Sequence, residues 1–497
     1  MKRIFLVVAA LAILFSGCPN ELELVAINVK ANKVSYTVSE SVAPSDIEVV
    51  ATYRDGTSKV VTNYTVAPAT FSEVGTTSVQ VSYSENGVTK TASYEVIVNA
   101  PMPLTPPTPE TFTVRFYANN DGATGNMEAQ TFTEGQEQAL ATCGFSLNGY
   151  NFLGWAKAAD AVDKEFDDEE IILVTEDMEL YAVWEYAYVE FGLWPRTIKD
   201  PAVTVDKNTS DSQEVGMFTY YKGSDGKWYC EALENAYDPG AQYKYSNNEQ
   251  VKRKSANSYQ WFKVEPIKWR VLTDNYSGNK LLFAEEGLYA SIAYYDDTND
   301  TNDRTIDGKT IFSSNYKHSK IRAWLNGLSY NESGSENNDY FNKGFLQTAF
   351  SSEEIKKIVT VEVDNSEEST NPNSNPKKWN NGTNAYACEP TQDKIFLLSI
   401  KEASNSDYGF AEWDESGVGN ARIRKPTDFA LANYGWLSPT AGEGGWYFLR
   451  SPYYSGIHNA RHVNSEGDLH YGGGRVSGDY YIFNEGLLVV PALVIAP

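Results

Sequence analysis

Near the C-terminus, the stretch RSPYYSGIHNARHVNSEGDLHYGGGRVSGDYY (450–481) holds His458, His462 and His470, three of the chain's four histidines. Imidazole binds metals and moves protons near neutral pH, so the spacing decides what these side chains can do. His458 and His462 would share one face of a helix, but Gly456, Gly467, Gly472, Gly473, Gly474 and Gly478 argue against a long helix here. On a strand the pair would point the same way about 13 Å apart, too far for one metal ion. The sequence has neither a His-Glu-x-x-His pattern nor a Gly-x-Ser-x-Gly nucleophile elbow. A glycosidase pair of carboxylates is remote in sequence, and nothing singles out two of the many acids. The expectation is therefore no catalytic residue, no metal site and no cofactor.

The rest of the stretch suits contact better than bond-making. Tyr453, Tyr454, Tyr471, Tyr480 and Tyr481 alternate with glycine, serine and asparagine, the composition of antibody contact loops. Tyrosine gives broad amphipathic contact at low entropic cost, and small polar residues adapt their hydrogen bonds. The expected ligand-binding surface comprises Tyr453, Tyr454, His458, Asn459, His462, His470, Tyr471, Tyr480 and Tyr481, facing outward.

Two other stretches carry oxygen ligands. DDTNDTND (296–303) lacks the glycine and final glutamate of a calcium loop, and Glu389-Pro390-Thr391 only partly echoes a calcium-dependent lectin motif. Both read as solvated loops. Cys143, Cys230 and Cys388 match no zinc or thiol-redox spacing; Cys230 and Cys388 fall in one domain, and their pairing stays open.

A firm framework must hold such a surface. GWYFLRSP (445–452) and LLVVPALVI (487–495) bracket it as strands, and IKWRVL (267–272) pairs with KLLFAEE (280–286). SKIRAWLNGL (319–328) reads as a helix capped by Ser319, with Ile321, Trp324, Leu325 and Leu328 on one face. SSEEIKKIV (351–359) opens a second, with Ser351 and Glu354 at capping-box spacing. KIFLLSIKEA (394–403) is a strand entering a helical turn. The marks Trp-Arg-Val-Leu (269–272), Ile-Arg-x-Trp-Leu-Asn (321–326), Phe-Leu-Leu-Ser (396–399), Leu-Arg-Ser-Pro (449–452) and Pro-Ala-Leu (491–493), in this order, resemble an uncharacterised C-terminal domain family of bacterial surface and secreted proteins. Val490 stands where that family often has arginine. The resemblance implies an α+β domain over 186–497, akin to C-type-lectin-like proteins, the group that includes retroelement-diversified binding proteins.

Two small all-β modules precede it. SVQVSYSENGVTKTASYEVIV alternates around Asn86-Gly87, a hairpin signal, and ATYRDGTSKVVTNYTV (51–66) resembles the strand-turn-strand of bacterial Ig-like domains, which implies an Ig-like sandwich over 23–99 that acts as a spacer. Residues 100–110, APMPLTPPTPE, form a proline-rich linker. GYNFLGW (149–155) and LYAVW (180–184) resemble the internalin-type B-repeat, a β-grasp-like unit, over 111–185; Tyr150, Phe152, Trp155, Tyr181 and Trp184 would supply its aromatic core.

At the N-terminus, Lys2 and Arg3 precede an apolar run, Ile4 to Phe15, too short to span a bilayer comfortably. Ser16-Gly17-Cys18 follows, and the whole resembles a lipoprotein signal: 1–17 removed, Cys18 lipidated, 18–22 a tether. The membrane partner is then the lipid anchor alone.

The totals agree with an exposed, multidomain protein. A chain of 497 residues exceeds one core, and a formal net charge of −25 leaves no basic stripe for nucleic acid. The sequence thus reads as a lipid-anchored bacterial envelope protein, at the outer membrane or cell surface, that presents a binding domain to a host, matrix or cell-surface protein or glycan. A hydrolase with a hidden carboxylate pair and a structural envelope component are the alternatives.

Overall fold

Asn86 and Gly87 both take positive φ, 50° and 76°, and fold Gly75–Glu85 back on Val88–Asn99 in an eleven-residue antiparallel register. This is the conformation a two-residue hairpin turn demands. The computed structural model describes residues 22–102, 108–237, 243–252, 258–294, 304–332, 335–370, 386–411, 419–438, 444–453, 459–469, 474–475 and 486–497. The chain divides into two compact units at Thr108/Pro109. In the first, the hairpin joins Thr65–Ala67 and Ser35–Thr37 in one sheet, and Leu24–Ala31, Ile47–Tyr53 and Ser58–Val61 form another. Val81 and Tyr83 from one sheet meet Ile27, Val49 and Ala51 from the other in a common core, so alternation has produced a two-sheet sandwich.

The second unit begins with a four-stranded sheet in the order Gln130–Thr133, Thr111–Tyr117, Met178–Tyr186, Tyr150–Ala156, its central pair parallel. Trp155 is fully buried there and packs with Phe116 and Phe152, and Phe152 also meets Trp184. Two of the five expected core aromatics point elsewhere. Tyr181 lies on the other face, stacked on Tyr117 with both hydroxyls on Glu179; Tyr150 turns toward the domain that follows.

That domain is organised by one 18-residue strand, Tyr259–Tyr276. Its first half pairs with Trp228–Leu233 and its second with Asn279–Ala284, while Tyr188–Ile198 runs along both halves. Ala492–Ile495 and Ile395–Phe396 extend the sheet. Three of the five marks quoted above meet directly here, and a fourth, through Asn326, holds the two residues just before Phe396. Ala492 pairs with both Phe283 and Phe396. Asn326, at the end of helix Lys320–Asn326, donates to the Ile395 carbonyl (2.8 Å) and accepts from the Lys394 and Ile395 amides. Arg450 donates to the Leu397 carbonyl (2.7 Å), and Ser451 accepts from the Ile400 amide (3.0 Å). Asn326, Arg450 and Ser451 are thus polar bolts inside a core, satisfying backbone groups that burial would otherwise strand.

Ser319 and Ser351 cap their helices as expected, and Glu354 completes the capping box. The helix after Ser319 stops at Asn326, because Gly327 takes a left-handed φ of 66°, so Leu328 falls outside it. The described helices are all short, laid around sheet, and the architecture is multidomain and mostly β rather than an even α+β mixture. LLVVPALVI contributes a strand only from Ala492, and Val490 is buried. No helix among the described residues is long and apolar enough to cross a membrane.

Candidate functional site

The B-repeat-like sheet does not stand free of the C-terminal domain. Gly149, first residue of GYNFLGW, holds φ at 75°, and a Cβ there would lie 2.8 Å from the Val271 carbonyl oxygen and 3.2 Å from that of Leu272. The Ala187 amide donates to Gly149 (2.9 Å), and the Val271 amide donates to Ala187 (2.9 Å). Asn148 donates to Thr273 Oγ1 (3.0 Å) and accepts from the Asp274 amide (2.9 Å). Two sequence marks, one from each module, therefore meet backbone to backbone. A glycine without Cβ allows the two segments to close on one another.

Arg270 fastens the same seam from inside. Its guanidinium donates to both oxygens of Glu285, at 2.7 and 3.0 Å, and to the Ala421 carbonyl (2.8 Å). Its face covers the Tyr186 ring. Tyr186 in turn packs on Tyr150, ring centres 4.8 Å apart. Gly409, at φ 72°, sits against Tyr150: a Cβ there would come 2.5 Å from its hydroxyl oxygen.

These contacts leave an open cleft of about 1260 Å³ along the seam. Tyr150, Tyr186 and Tyr408 give it aromatic wall; Asn120, Asn275 and Asp407 give it polar rim. Burial pushes the Tyr150 and Tyr408 hydroxyls above the ordinary tyrosine range, so both keep their protons at physiological pH. Asn275 accepts from the Gly278 amide (3.1 Å) and Asn120 from the Gly122 amide (2.9 Å). Each carbonyl oxygen is thus used to hold a turn, and the amide NH2 remains as a donor. None of the lining residues is cationic among the described residues. No sequence pattern marked this cleft, since its residues come from segments nearly 300 positions apart.

Of the expected tail surface, only Tyr453, Asn459 and His462 fall among the described residues. Tyr454, His458, His470, Tyr471, Tyr480 and Tyr481 lie outside the described residues, as does 296–303. Asn459 opens the strand Asn459–Val463, which pairs with Tyr447–Pro452. His462 does not face outward: it is 2% exposed, and its ring stacks on Trp446 at 5.0 Å. Tyr453 is half-buried, with the buried Arg461 guanidinium 4.4 Å from its ring centre. Pairing with a fully buried strand turns these side chains inward, which composition alone does not reveal. Glu389 pairs with Lys317 and Lys309, a setting for an ion pair rather than calcium. Cys230 and Cys388 are both free thiols. No cluster of three His, Cys, Asp or Glu side chains suited to a metal occurs among the described residues.

No curated protein gives a significant match to the chain. Two family models do match parts of it. The Listeria-Bacteroides repeat domain covers residues 112–183, the sheet that carries GYNFLGW and LYAVW. The Domain of unknown function (DUF6273) covers 268–497, the segment that carries the five marks quoted above. Together the surface repeat and this C-terminal domain suggest a cell-surface protein.

Proposed function

We propose that the chain is a lipid-anchored bacterial envelope protein that captures an extracellular ligand without transforming it. The observation that carries this reading is the seam cleft, concave and walled by tyrosine and asparagine on a scaffold clamped by Arg270 and Gly149. Binding sites of this kind combine aromatic surface with a few fixed polar groups. The first sandwich serves as an Ig-like spacer from Cys18, and the C-terminal domain as a lectin-like receptor. The ligand is a host, matrix or cell-surface protein or glycan. The test is binding of the full chain to arrays of matrix proteins and glycans. In parallel, Cys18→Ser in cells should release the protein from the detergent phase, and protease added outside should reach the wild type.

A second reading rests on Asp121 and Asp407, two carboxylates on the walls of one cleft. Glycoside hydrolysis uses such a pair. Release of reducing ends from oligosaccharides by the wild type, lost in Asp407→Asn, would favour it over capture.

A further inference from the structure

We infer that the seam cleft is a subsite for a neutral oligosaccharide. The inference rests on the capture reading and names the ligand class of the same cleft. Three features of the lining select that chemistry. First, the half-buried Tyr150 and Tyr408 bring ring edge and hydroxyl to the lining, held by Tyr186, whose own ring is taken up by Arg270 and Tyr150; such mixed apolar and polar surface suits a sugar ring bordered by hydroxyls. Second, the NH2 groups of the exposed Asn120 and Asn275 can donate, and the exposed Asp407 carboxylate can accept; a polyol needs both kinds of partner. Third, no cation lines the cleft among the described residues, and the whole chain carries a formal charge of −25. An anionic glycan, nucleic acid or acidic peptide would meet carboxylates with nothing to offset them.

The size of the cleft points the same way. Its volume of about 1260 Å³ exceeds the roughly 300–1,000 Å³ of a small-molecule pocket, so it suits several linked rings better than one. The clamp explains why the cleft can discriminate. Asn275 sits on the strand that Arg270 anchors, Asn120 and Tyr150 sit on the repeat, and Asp407 sits in the short 3-10 helix Ser406–Tyr408 that ends at Gly409 against Tyr150. Ligand contacts therefore come from three segments whose separation is fixed before binding, which lowers the ordering cost.

The test uses the full chain and saturation-transfer NMR with titration calorimetry. The probes are neutral gluco-, galacto-, manno- and N-acetylglucosamine oligomers, with sulfated counterparts. At least one neutral oligomer should bind, its sulfated form at least tenfold more weakly. Asn275→Asp, which keeps the acceptor for the Gly278 amide but loses the NH2 donor, and Asp407→Ala, both at exposed positions, should each weaken binding about tenfold, the worth of one good hydrogen bond, with thermal midpoints unchanged. Binding that survives both variants but falls in Tyr471→Ala would overturn the cleft site and move recognition to the tail. Binding of a matrix protein but of no neutral oligomer would overturn the ligand class and leave capture standing. Failure of the full chain to bind any array component would remove both.

Discussion

The guanidinium carbon of Arg270 stands 3.9 Å from the centre of the Tyr186 ring. Arg270 belongs to the C-terminal sheet, and Tyr186 ends the last strand of the repeat, so one side chain ties the core of one module to the edge of another. The flat guanidinium is suited to this, since its edge satisfies Glu285 while its face covers an aromatic ring.

That double use makes Arg270 expensive to remove. Arg270→Ala leaves the mostly buried Glu285 with only the more distant Arg424, 3.6 Å away, as a cation. The expected loss is about 3–5 kcal/mol, the usual cost of breaking a buried pair. Arg270→Lys keeps the charge but not the fork, and should lose about 1.5–3 kcal/mol. Denaturant unfolding followed by tryptophan fluorescence measures both. Equal stability of the lysine variant and the wild type would show that charge alone matters and that the stack on Tyr186 is idle.

Gly149 allows the seam's closest backbone approach to be tested against a built-in control. Gly135 has nearly the same φ, 73°, but a Cβ there meets nothing within 4 Å. Gly135→Ala should cost only the left-handed penalty, about 1–2 kcal/mol. Gly149→Ala pays that penalty and also drives a methyl into the Val271 carbonyl, so it should be the more destabilising and should expose the seam to limited proteolysis. Equal effects at the two positions would mean that the modules do not press together at Gly149.

Local features were legible wherever a few neighbouring residues decide the outcome. Asn86-Gly87 and the Ser351/Glu354 pair each carry their own hydrogen-bonding logic, and both formed as read. The five marks were visible as a pattern, but their purpose was not: Asn326 and Arg450 act on backbone groups some 50 to 70 positions away. Tyr150 and His462 show the limit most clearly. A tyrosine in a repeat motif reads as core of that repeat, and a histidine among glycines reads as surface. Only the docking of Gly149 on Val271 and the pairing of Phe448 with His462 reverse those readings. The cleft escaped altogether, because it exists only once two modules meet.

Glu285 makes the seam's response to acid testable. Burial pushes its carboxyl pKa up, but Arg424 and Arg270 together outweigh burial and hold it below the ordinary glutamate value. A depressed carboxylate contributes stability that is present above its unfolded pKa, about 4.3, and is lost as pH falls through the folded value. The wild type should therefore lose stability below about pH 4.3 more steeply than Glu285→Gln, and the difference between the two should shrink toward lower pH. Parallel acid-unfolding curves for the two proteins would show that Glu285 is not coupled to the fold.

Cys230 tests both the core and the free-thiol state. It is 2% exposed, and burial pushes its thiol up to about 12. At pH 8 the thiolate fraction is then on the order of 10⁻⁴, and the thiolate is the reacting species. Iodoacetamide should leave Cys230 unmodified in the native chain while the half-exposed Cys143 reacts. After denaturation without reductant, Cys230 and Cys388 should both become alkylated, because the two sulfurs are not joined. Peptide mass mapping distinguishes the outcomes. If both cysteines resist alkylation until a reductant is added, they are bridged in the native protein. The strand Trp228–Leu233 and the segment around Cys388 would then be joined, unlike the two free thiols described here.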